Sequence, residues 1–86
     1  MERSTTIKKR LLVAMRDGYL TIDPAGINLI VQDLMRLPVA AKDRGTKATL
    51  IKELRSTEKR LDHLHQHSHE QCLKAADTVE RLSLKD

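Results

Sequence analysis

The chain has 86 residues, 40% of them apolar and 33% charged, with a formal net charge of +4 and a single aromatic residue, Tyr19. That length holds one domain with a modest core, the size at which many chains gain stability by associating. The longest apolar run near the start, 11–15, is too short for a signal peptide or a membrane span, and a lone Cys72 forms no internal disulfide, so the expectation is one cytoplasmic domain, 1–86, without membrane contact.

The charge is unevenly spread: net +4 over 1–16, −2 over 17–41, +4 over 42–60 and −2 over 61–86. Two basic segments alternating with two mildly acidic ones suit an antiparallel or swapped packing that sets opposite signs together. The basic segments equally suit nucleic acid. No internal repeat is evident in the residues themselves.

Helix capping by Ser4 to Thr6 predicts a first helix, with Ile7, Leu11, Ala14 and Met15 on one face and Lys8, Lys9, Arg10 and Arg16 mostly on the rest. Gly18 is its expected stop, followed by the apolar connector Tyr19-Leu20. Asp23-Pro24 opens a second helix, because aspartate caps and proline fits the first turn. Ile27, Leu29, Ile30, Val31, Leu34, Met35 and Leu37 are apolar on most of its sides, so it is expected to be buried in an assembly. Pro38 ends or kinks it by pushing Leu37 out of the helical region. One or two helical turns are expected over 38–44, ended by Gly45, with Thr46 capping the next helix.

Residues 46–86 contain no glycine, no proline and no aromatic. Their apolar residues step through Leu50, Leu54, Thr57, Leu61, Leu64, Ser68, Cys72, Ala75, Val79 and Leu82, a heptad rhythm with one stutter near Ser68. A single helix here would be roughly 57 Å long, at about 1.5 Å per residue. The preceding residues cannot cover such a rod. The stripe Leu50, Leu54, Leu61, Leu64, Cys72, Val79 and Leu82 therefore predicts a self-association seam, coiled-coil-like, in a homodimer or homotetramer. A break, if there is one, is expected between Leu64 and Cys72, where the seam is weakest, and would fold the segment into a hairpin.

The stretch His63-Leu64-His65-Gln66-His67-Ser68-His69 places two i, i+4 histidine pairs on a helix, and His65, His69 and Cys72 would form a three-ligand face. A polar helix face with Cys72 as a small seam residue explains the same pattern, and no carboxylate stands at ligand spacing. No metal and no cofactor is expected. A helix-only chain with one aromatic offers little concave wall for a nucleophile–base pair, and there is no glycine-rich phosphate loop, so no enzyme is expected.

Two functions remain. Lys47, Thr49, Lys52, Arg55, Ser56, Lys59 and Arg60 would let the start of the third helix touch phosphates or bases, although Glu53 and Glu58 dilute the charge. Alternatively the surface grips a protein, with Lys8, Arg16, Tyr19, Lys52, Arg55 and Lys59 as the contact candidates and an amphipathic helix in a groove as the mode.

In size, helix-only content, the basic helix 7–16 ending in Asp17-Gly18-Tyr19-Leu20, and the long segment 46–86, the chain resembles the small antirepressors of temperate phages of enteric bacteria. The likeness implies a cytoplasmic oligomer that binds a phage repressor and strips it from its operator. Small helical anti-sigma factors, antitoxins and plasmid accessory proteins share the look. The expectation is an all-α protein of two short helices (1–45) and one long one (46–86). It would be a non-enzymatic regulator that associates with itself and with a protein partner, with a small basic dimeric DNA-binding regulator as the alternative.

Overall fold

The computed structural model describes residues 3–17, 24–59 and 65–85, and these are helical throughout apart from the links: α1 Ser4–Asp17, α2 Pro24–Arg36, a 3-10 turn Ala41–Asp43, α3 Arg44–Lys59 and α4 His65–Arg81. Helix α1 starts where the hydroxyl-rich segment predicts, its first turn closed by Thr6 N–H and Ile7 N–H donating to the Arg3 carbonyl. Ser4, Ile7, Leu11 and Met15 recur at helical spacing and are buried. Helix α2 begins at Pro24 and stops before Leu37-Pro38, as the proline requires.

Within the single chain helix α2 buries one face. Ile27, Ile30, Val31 and Leu34 face inward, while Leu29 is 63% and Met35 54% exposed. Gly45 stops nothing: it lies in the first turn of α3, which the 3-10 turn feeds directly. Segment 46–86 is not one rod, because α3 ends at Lys59 and α4 begins at His65. The part of the expected stretch from His65 to Cys72 is continuous helix, and residues 60–64 lie outside the described residues. Gln71 Nε2 donates to Glu53 Oε2 at 3.4 Å, and Thr78 lines a cleft with Gly45, Thr46 and Thr49, so α3 and α4 run antiparallel.

The stripe expected to meet a second copy is therefore used within the chain. Leu50, Leu54, Cys72, Val79 and Leu82 are each 4% exposed or less and join Ile7, Leu11, Met15 and the inward face of α2 in one core. Leu61 and Leu64 lie outside the described residues. Helix α1 packs against α4 and α2, and α3 against α2 and α4, in a ring of four. The longest dimension is 38 Å and the radius of gyration 12.1 Å, close to the roughly 12 Å of a compact chain of this length. Burial decides the matter. A straight rod would leave five large or medium apolar side chains in water, at about 1.5–3 kcal/mol for each of the larger ones.

Two links complete the fold. After α2 and after α4 the chain runs extended, and Val39 and Leu84 form an antiparallel bridge. Ala40 N–H donates to the Ser83 carbonyl at 2.8 Å and Lys85 N–H to the Pro38 carbonyl at 3.0 Å. Each helix that ends there is capped by a lysine from a neighbouring helix. Lys8 Nζ donates to the Glu80 and Leu82 carbonyls, and Lys47 Nζ to those of Met35 and Leu37. A cation satisfies the last carbonyls and matches the negative end of the helix dipole.

Leu54, fully buried, reports on this core directly. Leu54→Ala should cost about 2–5 kcal/mol in urea unfolding. The unfolding midpoint of the parent chain should not depend on protein concentration. A midpoint that rises with concentration would show that a second copy completes the core.

Candidate protein-binding groove

The bridge between the two extended links sets Lys85 beside Pro38 and Val39, next to the first turns of α3. The Asp43 carboxylate, just before α3, accepts from Ser83 N–H at 2.8 Å and holds the two segments together. Between them lies an open groove of about 410 Å³. Val39, Ala48 and Ile51 supply apolar surface, and Arg44, Lys47 and Lys85 supply three cations.

The cations differ in their attachments. Lys47 is committed to the end of α2, and burial pushes its ammonium below the usual lysine range. Arg44 and Lys85 are exposed, and among the described residues neither has an acidic partner at ion-pair distance. The groove therefore has an apolar floor, one fixed cation and two cations without an acidic partner among the described residues. That arrangement attracts a segment carrying carboxylates along one edge of an apolar face.

The contact residues expected from sequence fall elsewhere. Lys8 caps α4, and Arg16 bridges Asp77 Oδ1 at 3.3 Å and Glu80 Oε2 at 2.6 Å, so both serve the α1–α4 seam. The Arg16 hydrogen bond, and secondarily its charge, hold the Glu80 carboxyl below the usual carboxylate range. Arg55 reaches Met35 Sδ at 3.8 Å on the α2–α3 seam. Lys52 and Lys59 point outward from α3. Tyr19 lies outside the described residues. Arg44 and Lys47 belong to the basic segment 42–60 that sequence singled out. Lys85 and Val39 carry no sequence signal, since only the bridge brings them together.

Cys72 belongs to the core, fully buried, and burial pushes its thiol up to about 11. A buried thiol held neutral is a poor nucleophile. Among the described residues no cluster of three His, Cys, Asp or Glu side chains could hold a metal ion. The side chains of His63, His65, His67 and His69 lie outside them. No described helix is long and apolar enough to cross a membrane. No protein-family model, curated protein or solved structure shows significant similarity to this chain.

The thiol gives a prediction with a definite sign. Its folded pKa lies above the ordinary value of 9.0, so the stability gained by keeping it neutral is fully present below pH 9 and is lost as pH climbs towards 11. Chemical unfolding between these limits should show a loss of stability that is smaller in Cys72→Ala. In the native chain at pH 8 a disulfide reagent should label Cys72 far more slowly than in urea. Equal labelling rates would remove Cys72 from the core.

Proposed function

We propose that this chain is a non-enzymatic regulatory protein that works by binding another protein, and that the Arg44–Lys47–Lys85 groove receives an acidic amphipathic helix of that partner. The observation that carries this is the pairing of an apolar floor with two cations that have no acidic partner among the described residues. A helix with apolar residues at i, i+3, i+4 and i+7 flanked by carboxylates matches both features. The apolar floor gives affinity through burial, and the charges set orientation and speed of encounter.

Antirepression is the sharpest version of this function. The groove would hold an acidic helix of a repressor and favour a repressor state that cannot bind its operator, a shift set by the difference in affinity for the two states. Length, helix-only content and the basic α1 support that version. The long C-terminal helix, part of the likeness to phage antirepressors, no longer does. One folded chain carries the whole groove, so a single copy suffices.

The test uses a fluorescent helical peptide with leucines at i, i+3, i+4 and i+7 and glutamates elsewhere, compared with its lysine-substituted twin and with random duplex DNA. The glutamate peptide should bind and its twin should not. Arg44→Glu with Lys85→Glu should weaken binding at least about tenfold, equivalent to about 1.4 kcal/mol. Lys52→Glu with Lys59→Glu should change it little. Salt-sensitive DNA binding that survives the groove substitutions, with no peptide binding, would replace this function by that of a DNA-binding regulator.

A further inference from the structure

The sequence shows no repeat to the eye, yet the structure contains one. Shifting α1 forward by 39 residues lays Lys8, Leu11, Leu12, Met15 and Arg16 on Lys47, Leu50, Ile51, Leu54 and Arg55 of α3. Shifting α2 forward by 45 lays the buried Ile27, Ile30, Val31, Leu34 and Leu37 on the buried Cys72, Ala75, Ala76, Val79 and Leu82.

Burial corresponds from Lys8 onward, whereas the buried Ile7 falls on the exposed Thr46, and several interactions correspond too. Lys8 caps the carbonyls of residues 80 and 82, and Lys47 caps those of 35 and 37, the matching positions. Arg16 reaches Glu80, and Arg55 reaches the matching Met35. Leu37 N–H donates to the Leu34 carbonyl as Leu82 N–H does to that of Val79. The two hydrogen bonds flanking the Val39–Leu84 bridge exchange with each other under the same shift, so a local two-fold axis passes through the bridge. The charge alternation +4, −2, +4, −2 along the chain is the same repetition seen in composition.

We infer that the chain is two equivalent helical hairpins, 4–40 and 43–85, fused in tandem and paired about this axis, and that the buried face of each is an interaction surface whose fitting partner is the other hairpin. Side-chain size makes that choice of partner. The inward layer of α2 is bulky, with Ile27, Ile30, Val31 and Leu34, whereas the equivalent layer of α4 is small, with Cys72, Ala75, Ala76 and Val79. Two copies of the first hairpin would overfill the shared core, and two copies of the second would leave cavities. The pairing is complementary where a symmetric dimer would be self-complementary.

The surfaces have diverged too. The Arg10–Asp33 pair, with hydrogen bonds of 2.8 and 2.9 Å, closes the α1–α2 contact. Its equivalents, Thr49 and Thr78, line an open cleft between α3 and α4. Arg44 and Lys85 of the groove are matched by Thr5 and Ala40, so that pair of exposed groove cations belongs to one side of the axis alone.

Layer exchange in the full chain tests the inference. One quadruple variant carries Ile27→Cys, Ile30→Ala, Val31→Ala and Leu34→Val. The other carries Cys72→Ile, Ala75→Ile, Ala76→Val and Val79→Leu. Each alone should melt at lower temperature and with less cooperativity than the parent, by far-UV circular dichroism and by amide dispersion in NMR spectra. The eight-fold variant turns the core by half a revolution, and it should recover at least half of the melting temperature lost by the worse quadruple. An eight-fold variant no more stable than either quadruple would overturn the equivalence. Should none of the three fold, the exchange Val31→Ala with Ala76→Val decides. A double variant more stable than Val31→Ala alone supports the axis, and one equal to it or weaker overturns it.

Discussion

A chain of this size has to bury a stripe of leucines and other apolar side chains that its C-terminal half spreads over two helices' length. Everything else in the fold follows from how that stripe is covered. Doubling back at the end of α3 lets Leu50 and Leu54 meet Cys72, Val79 and Leu82 inside one molecule, with the inward faces of α1 and α2 closing the other side. Burial of the stripe stabilises this arrangement, because all five of these residues become almost inaccessible.

Polar groups then fix the relative placement of the hairpins. Apolar packing is non-directional, whereas the Val39–Leu84 bridge and the lysine caps on α2 and α4 are not. Each net hydrogen bond contributes only about 0.5–1.5 kcal/mol. Their effect is to set register at the end of the bundle where α2 and α4 stop. The groove is a by-product of that register. Pairing of the tail with the 37–40 link carries Lys85 to the α3 side, where Arg44 and Lys47 already stand. The same register therefore forms the groove that lies between Pro38, Val39, Lys85 and the first turns of α3.

Much of this is legible in the residues, and the failures have physical causes. The start of α1, the start of α2 at Pro24 and its stop before Pro38 follow from local chemistry, capping and the fixed angle of proline. The heptad rhythm marked Leu50, Leu54, Cys72, Val79 and Leu82 as a seam between copies, and within one chain they are core residues. Periodicity identifies a face without naming what covers it, so the same stripe reads equally as a dimer seam or as half of a core. Gly45 misled because glycine in the first turn of α3 costs no more than the roughly 1 kcal/mol of a helix interior. The groove was half visible, in the basic segment that holds Arg44 and Lys47. Its other half depends on a long-range bridge between residues that look unremarkable in sequence. The internal repeat hid for a related reason: the α2 and α4 positions match in burial and lysine capping, while Ile27, Ile30 and Val31 have Cys72, Ala75 and Ala76 as equivalents, which differ in identity and size.

The most direct measurement is the distance between the two arms of the C-terminal hairpin. Spin labels at the exposed positions 52 and 74, in a Cys72→Ala background and diluted with unlabelled chain, report it within a single molecule by pulsed electron resonance. Antiparallel helices packed about 8–10 Å apart hold these positions near each other, so the distance distribution should centre at about 10–20 Å. A continuous helix would separate them by about 33 Å. A peak there would return the apolar stripe to the surface, and with it the need for a second copy.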